Sequence, residues 1–510
     1  MRGGPLPSAL RLCHKGPTGP ALLKTVHWTV FRALRPPQRG KAWENDDEEW
    51  SMTYEEFLKT KEMRAEACGF EVDRDSITPM AFDYQRDIVQ WACRKGKCAI
   101  LTGCGTGKTL MLLEYARAVC GHTGGKVLIV SPLSVVEQTR REAVKFGICE
   151  VTVCRSAADV RDGVNITNYE MIEHFDASAF AGVVLDESSI LKSFTGKYKT
   201  LLTDMFFNTP YRLLCTATIA PNDYTEIGTS CEFLGIMSRT EMLATYFIHD
   251  GGETSKWRLK KAGVNKFWEW FATWAIYFNS PKDIGYQGEG YDLPPLNIHR
   301  VITESAVREG ELLVTLASTL EERRTARKDS AEDRTDRAAA LANGDMDSQW
   351  LLWCDYNDES AMLKKKARDC VEVKGSDEPE FKAGASLDFA DGRIHALVSK
   401  PSIFGFGSNF QSCHSMVFCG LSDSYERFYQ AVRRCWRFGQ QKPVDVYIIL
   451  SEREMNVLDN IQRKQAQMDE MQRQMTALMR EVTLSEIRHT TRITTDYKPA
   501  QRMEVPAWAI

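Results

Sequence analysis

The stretch Thr102-Gly103-Cys104-Gly105-Thr106-Gly107-Lys108-Thr109 constrains this chain more than any other. It follows an apolar run, Cys98-Ala99-Ile100-Leu101, and precedes a helix-like segment from Leu110 to Val119. A strand, a glycine-rich loop and a helix in that order form the context of a phosphate-binding loop. Gly103, Gly105 and Gly107 let the backbone curl until its N–H groups face one centre, and the helix N-terminus adds a favourable dipole. At this spacing Lys108 would reach the β- and γ-phosphates of a nucleotide, and the Thr109 hydroxyl would hold Mg2+. The usual loop opens with Gly, whereas Thr102 stands there in this chain.

Apolar runs at 98–101, 127–130, 151–154, 182–185 and 212–215 read as strands with helices between them. Such alternation predicts a parallel sheet covered on both faces. Residues 241–298 break the rhythm, being rich in aromatics (Trp257, Trp268, Trp270, Trp274) and ending in Leu293-Pro294-Pro295. The expectation is a helical bridge between two domains, with the tryptophans as core anchors rather than stacking platforms for bases. Beyond 299 the alternation resumes around a long charged helix near 305–342, whose mixed-sign stretch from Glu321 to Arg337 reads as a solvated face. Further strands are expected at 350–354, 370–373, 394–398, 415–418 and 444–449. In the tail, Ile461, Met468, Met471, Met475, Leu478 and Val482 fall near heptad spacing, interrupted by Lys464. That pattern is short for a coiled coil and predicts packing back on the second domain.

The expected class is therefore α/β: two parallel-sheet domains in tandem with a helical bridge and a helical C-terminal tail. The divisions are a basic N-terminal extension at 1–51, a nucleotide-binding domain at 52–240, the bridge at 241–298, a second domain at 299–452 and the tail at 453–510. The first 43 residues hold eight Lys or Arg and no acid. They read as a basic arm, an organellar transit peptide, or translated upstream sequence ahead of Met52, and they lack the pattern of a secretory signal. A net charge of −4 means that any nucleic-acid surface must be a local basic patch. Fifteen scattered cysteines without a Cys-x-x-Cys pair argue for reduced thiols and against a zinc site or disulfide framework. No apolar run approaches the roughly 18 residues that span a membrane, so a soluble, intracellular protein is expected.

Two further constellations carry chemistry. Phe180 to Glu187 is an apolar strand ending in adjacent carboxylates. Asp186 would hold Mg2+ through water, and Glu187 would orient or deprotonate an attacking water. Gln430-Ala431-Val432-Arg433-Arg434-Cys435-Trp436-Arg437-Phe438-Gly439-Gln440 places Arg434 and Arg437 three apart on one helical face. Arginines delivered from a second domain can stabilise transition-state charge.

Over residues 80–450 the chain resembles superfamily 2 helicases and translocases, nearest the Swi/Snf-type branch and the helicases carried by bacteriophages. Tyr84-Gln85 matches the position of the family's adenine-reading glutamine. Ser131-Pro132-Leu133-Ser134-Val135-Val136 and Asn165-Ile166-Thr167-Asn168-Tyr169-Glu170 resemble its backbone-contacting motifs. Thr216-Ala217-Thr218 resembles the motif that couples hydrolysis to domain movement, and Pro221-Asn222 with Glu226 continues the Swi/Snf-type pattern. Leu352-Trp353-Cys354-Asp355 is similar to the second domain's opening motif, and Gly405 to Phe410 to its glycine motif. Residues 430–440 match the arginine-finger motif, which makes Gln430 a site residue and Arg434 and Arg437 the fingers. Two departures stand out: Asp186-Glu187 continues as Ser188-Ser189, and Arg433 replaces a common Gly, which could add a phosphate contact.

The resemblance implies two RecA-like domains with ATP and Mg2+ between them. Gln85, Gly103, Gly105, Gly107, Lys108, Thr109, Gly407 and Gln430 would hold the nucleotide. Ser131, Pro132, Thr167, Asn168 and Asn409 would touch nucleic-acid backbone, which positions a strand without reading its sequence. Lys108, Asp186, Glu187, Arg434 and Arg437 would carry catalysis, and Thr216, Ala217 and Thr218 the coupling. The implied partner is DNA, duplex favoured over single strand, with phage replication or modification proteins as further partners in a bacterial cytoplasm. A nucleotide-gated clamp without travel and an ATPase that remodels protein are the rival readings.

Overall fold

A computed structural model describes residues 65–488 apart from 193–195, 218–222, 251–252, 289, 305–315, 318 and 405–408. The expected points 1–51, Met52, Thr218, Pro221, Asn222 and Gly407 lie outside the described residues.

The first domain runs α1 (Asp83–Lys95), β1 (Lys97–Thr102), α2 (Lys108–Thr123), β2 (Lys126–Ser131), α3 (Leu133–Lys145), β3 (Val151–Val153), β4 (Val164–Asn168), β5 (Phe180–Asp186), α4 (Lys197–Met205) and β6 (Tyr211–Thr216). It continues through α5 (Ile227–Leu234), α6 (Arg239–Tyr246), an antiparallel hairpin of β7 (Phe247–Asp250) and β8 (Glu253–Leu259), α7 (Val264–Ala272) and β9 (Ala275–Phe278). The seven-stranded sheet has the order β3-β4-β2-β5-β6-β1-β9, every pair parallel. Its central strands are unbroken apolar runs because both faces are covered. Ile100, Ile129, Val184 and Leu213 meet α1 and α2 on one face; Leu101, Leu128, Val183 and Leu214 meet α5 to α7 on the other.

The second domain holds β10 (Leu296–Thr303), α8 (Leu320–Asp329), α9 (Ala331–Gly344), β11 (Trp350–Cys354), α10 (Asn357–Lys366), β12 (Cys370–Glu372), α11 (Pro379–Ala390), β13 (Ala396–Ser399), α12 (Pro401–Phe404), β14 (Ser415–Cys419), α13 (Tyr425–Val432) and β15 (Val444–Ser451). Its six strands are ordered β10-β15-β14-β11-β13-β12, again all parallel. The molecule is α/β, with two RecA-like parallel-sheet domains in tandem.

Four expectations need correction. Residues 241–298 are not a free-standing bridge: Ala275–Phe278 pairs with β1 as the edge strand, and Trp268, Trp270 and Trp274 fill the core beneath it. The core-anchor expectation for these tryptophans holds, while Trp257 is partly buried and stacks on His249. Strands β4 and β10 were absent from the expected set, though both pair in parallel with apolar neighbours. The charged segment 321–337 is not simply solvated. Its helices break at Ser330, and Arg327 and Arg334 turn inward: Arg327 to the buried Glu454 (3.1 Å) and the half-buried Asp355 (2.9 Å), Arg334 to the buried Glu359 (2.7 Å).

The tail is the fourth. Met455–Arg488 forms one helix of 34 residues, α14, that crosses from one domain to the other. Val457, Leu458, Ile461 and Met468 enter the second domain's core, whereas Met475, Met479 and Val482 enter the first domain's. Met471 packs against both cores. At the far end Lys95 pairs with Glu486 (2.7 Å), and Arg94 donates to the Glu486 and Ile487 carbonyls, as suits cations at a helix C-terminus. Lys464, which interrupts the heptads, donates to Asp423 O (2.7 Å) beside α13.

Candidate functional site

In a parallel sheet the carboxyl ends of the strands share one edge, and the crevice outside them is where ligands bind. Register places Leu101 beside Thr216, Cys215 beside Asp186, and Ser131 beside Asn168. The glycine loop, the carboxylates, Thr216 and the strand ends carrying Ser131 and Asn168 therefore lie along one rim.

The loop needs its glycines. Gly105 and Gly107 have φ of +88° and +80°, and a β-carbon on Gly107 would lie 2.1 Å from Gln85 Nε2. Thr102, where the usual loop has Gly, bonds across it to the Thr106 hydroxyl (2.5 Å). Lys108 Nζ donates to Thr102 O (2.8 Å) and Gly103 O (3.0 Å), which holds the ammonium over the loop. Gln85 is buried and engaged by protein. Its Nε2 donates to Thr106 O (3.1 Å) and the Tyr84 hydroxyl (3.2 Å), while Oε1 accepts from Phe82 N (2.9 Å). The amide expected to read adenine thus braces the loop.

At the end of β5, burial and the neighbouring Glu187 push the Asp186 carboxyl up to about 7, against the pull of Lys108. The Tyr169 hydroxyl donates to Asp186 O (2.6 Å) and fixes the strand end. Glu187 has φ +50°, and only Asp369 shares a positive φ among the described non-glycine residues. Such backbone strain clusters at functional sites. Burial raises the Glu187 pKa while Lys108 and Arg434 draw it back. Thr216 hydrogen-bonds the Glu187 carboxylate, yet its buried Oε2 has no partner among the described residues.

The second domain contributes α13 and the turns after it. Gln430 is 1% exposed, and neither its Oε1 nor its Nε2 has a hydrogen-bond partner among the described residues. Arg434 Nε donates to Gln430 O (3.0 Å), which anchors the guanidinium whose charge acts on Glu187. Burial, then the charge of Arg434, lowers the Arg437 pKa to about 10. Lys192 after β5 and Glu426 of α13 form an ion pair across the cleft. Phe438 lies over Gly105 and beside the Tyr291 ring (4.7 Å), while Tyr84 and Tyr291 share a 2.5 Å hydroxyl contact. These aromatic contacts carry no local sequence signal beyond the Phe in the arginine motif.

Ser131 and Thr167 are buried, and Thr167 Oγ1 has no partner among the described residues. Pro132 and Asn168 are half-buried; Asn168 Oδ1 caps the following turn by accepting from Met171 N (3.1 Å), and Asn409 is exposed. Ala217 is buried directly after Thr216.

The residues fit a magnesium nucleotide. The Gln430 amide and Glu187 Oε2 are buried without a partner among the described residues, and the loop glycines leave no room for a β-carbon at Gly107. Thr109 and Asp186 supply the hard oxygen donors that Mg2+ takes. No protein-family model matches the chain, and no curated protein is significantly similar to it. No described helix is long and apolar enough to cross a membrane.

Proposed function

We propose that the chain is an ATP-dependent DNA helicase or translocase that hydrolyses ATP between its two domains, with little sequence preference. One arrangement supports the reading: Lys108 of the first domain is held over the glycine loop, Arg433 of the second domain reaches Cys104 O of the same loop, and the charge of Arg434 acts on Glu187. A triphosphate in the loop would add negative charge that cations gathered at a buried cleft favour.

The glycine loop and Lys108 cradle the phosphates, and Gln430 meets the nucleotide from the second domain, with Gly407 assigned to it by the resemblance alone. Thr109 and Asp186 would hold Mg2+, which neutralises phosphate charge. Glu187 accepts a proton from, or orients, the attacking water through its unpartnered oxygen. Arg434 and Arg437 meet the charge that builds on the transferred phosphoryl group. Because they belong to the other domain, turnover requires closure, and release opens the cleft. Thr216, bonded to Glu187, and Ala217 pass that change to the strand ends of Ser131, Pro132, Thr167 and Asn168; the resemblance adds Thr218 to the coupling and Asn409 to the nucleic-acid contacts. The likeness to Swi/Snf-type and phage helicases supports duplex DNA as the track and a host cytoplasm as the location.

ATP hydrolysis without nucleic acid and with single-stranded DNA, duplex DNA or RNA tests this, alongside Lys108→Ala and Arg434→Ala. Stimulation by DNA, lost in both variants, is the expected result. Flat turnover across all polymers would remove the motor reading and leave a nucleotide-gated clamp or a protein-directed ATPase.

A further inference from the structure

We infer that Arg433 is a positioning residue for the phosphate-binding loop: reaching from the second domain, it sets the Cys104–Gly105 peptide so that the Gly105 N–H points into the phosphate cradle. This rests on the nucleotide reading of the loop and adds a role that Arg434 and Arg437 do not have.

The geometry is specific. Arg433 Nη2 donates to Cys104 O at 2.8 Å, across 329 residues of sequence. In a trans peptide the carbonyl and the following N–H point to opposite sides, so gripping Cys104 O fixes the direction of the Gly105 amide. Loop amides of this kind make the anion-binding concavity, and each must face inward to contribute. Gly105, at φ +88°, is free to take positive or negative φ, so a contact on its peptide helps to select one loop shape. Phe438 supplies a second contact on the same peptide, since a β-carbon on Gly105 would lie 3.1 Å from Phe438 Cβ.

The guanidinium is itself held. Arg433 is 9% exposed and lies 5.8 Å from the Tyr429 ring centre and 5.0 Å from that of Trp436. Trp436 is pinned in turn by its Nε1 donating to Pro294 O (2.8 Å), in the segment joining the domains. Arg434 and Arg437 act on charge: Arg434 on Glu187, Arg437 among the cations around the loop. Arg433 adds a direct grip on the loop backbone. The loop's shape therefore depends on the second domain being closed against it, which links closure to affinity for any phosphate chain in the cradle.

The test is binding of magnesium-ADP and of a non-hydrolysable ATP analogue to the full chain, by calorimetry, for the wild type, Arg433→Met, Arg433→Lys and Lys108→Ala. Wild-type binding that Lys108→Ala abolishes establishes the nucleotide site, and Arg433 alone is then on trial; no wild-type binding would sink the nucleotide reading and this inference with it. Losing a charge-assisted hydrogen bond predicts that Arg433→Met weakens both ligands by the same factor, about tenfold. Arg433→Lys, which keeps the charge between the rings and a donor near Cys104 O, should recover most of that loss at an unchanged thermal midpoint. Unchanged ADP affinity in Arg433→Met would overturn the inference. So would a loss confined to the triphosphate analogue, which would put Arg433 on the γ-phosphate. If Arg433→Met does not fold, the same ADP-against-triphosphate comparison on Arg433→Lys decides, with equal weakening of the two expected.

Discussion

Substituting Met475 and Met479 by alanine tests whether α14 joins both cores. Both side chains are at most 2% exposed and lie among the aromatic residues of the first domain. A buried Met→Ala change costs about 2–5 kcal/mol, because transfer energy is lost and the cavity refills only in part. For a domain of roughly 150–250 residues each kcal/mol moves the midpoint about 2–4 °C, so Met479→Ala alone should lower it by roughly 4–20 °C. Met468→Ala is the control, since Met468 sits in the second domain's core although it belongs to the same helix. Scanning calorimetry should show Met475→Ala and Met479→Ala lowering the transition of the first domain, and Met468→Ala that of the second. If all three lowered one shared transition of the second domain, with the first untouched, the crossing would be refuted.

Three further outcomes follow from the geometry. Arg334→Met would leave Glu359 buried without its cation, while Glu454 keeps Arg327, and should cost about 3–5 kcal/mol, read as a lower urea midpoint that Glu359→Gln partly offsets. Burial alone would raise the Cys104 thiol, but Lys108, Arg433 and Arg434 outweigh it and hold its pKa below the usual range. Iodoacetamide near pH 7 should therefore inactivate the wild type, with ADP protecting and Cys104→Ser resistant; inactivation of Cys104→Ser at the wild-type rate would refute the assignment. Because the Gln85 amide is spent on Thr106 O, the Tyr84 hydroxyl and Phe82 N, Gln85→Ala should lower kcat/KM for ATP and GTP by the same factor, about tenfold. A loss for ATP alone would restore Gln85 as a base reader.

The glycine loop, the Asp186-Glu187 strand end and the alternation of strands were legible because each is a short-range pattern written in the backbone's own requirements. Gly105 and Gly107 at positive φ after a buried strand leave few other conformations for that stretch. The expectation of a helical bridge at 241–298 failed at its strand for a related reason. A segment apolar on every side has no period, so Ala275–Phe278 carries no mark of the sheet edge it completes. Charge pattern misled at Arg327 and Arg334, whose acids arrive from 25 to 127 residues further along.

By itself the sequence determined which segments could be strands, where the backbone had to turn, which side chains could carry phosphate chemistry, and which face of the tail was apolar. An apolar stripe states that a face must be buried, not against what. Only the tertiary structure decided that α14 divides its stripe between two cores, that Lys192 meets Glu426, and that Arg433 grips the carbonyl of Cys104. Those pairings depend on how two separately built sheets come to face each other, and that is set by the summed burial of both domains rather than by any local run of residues.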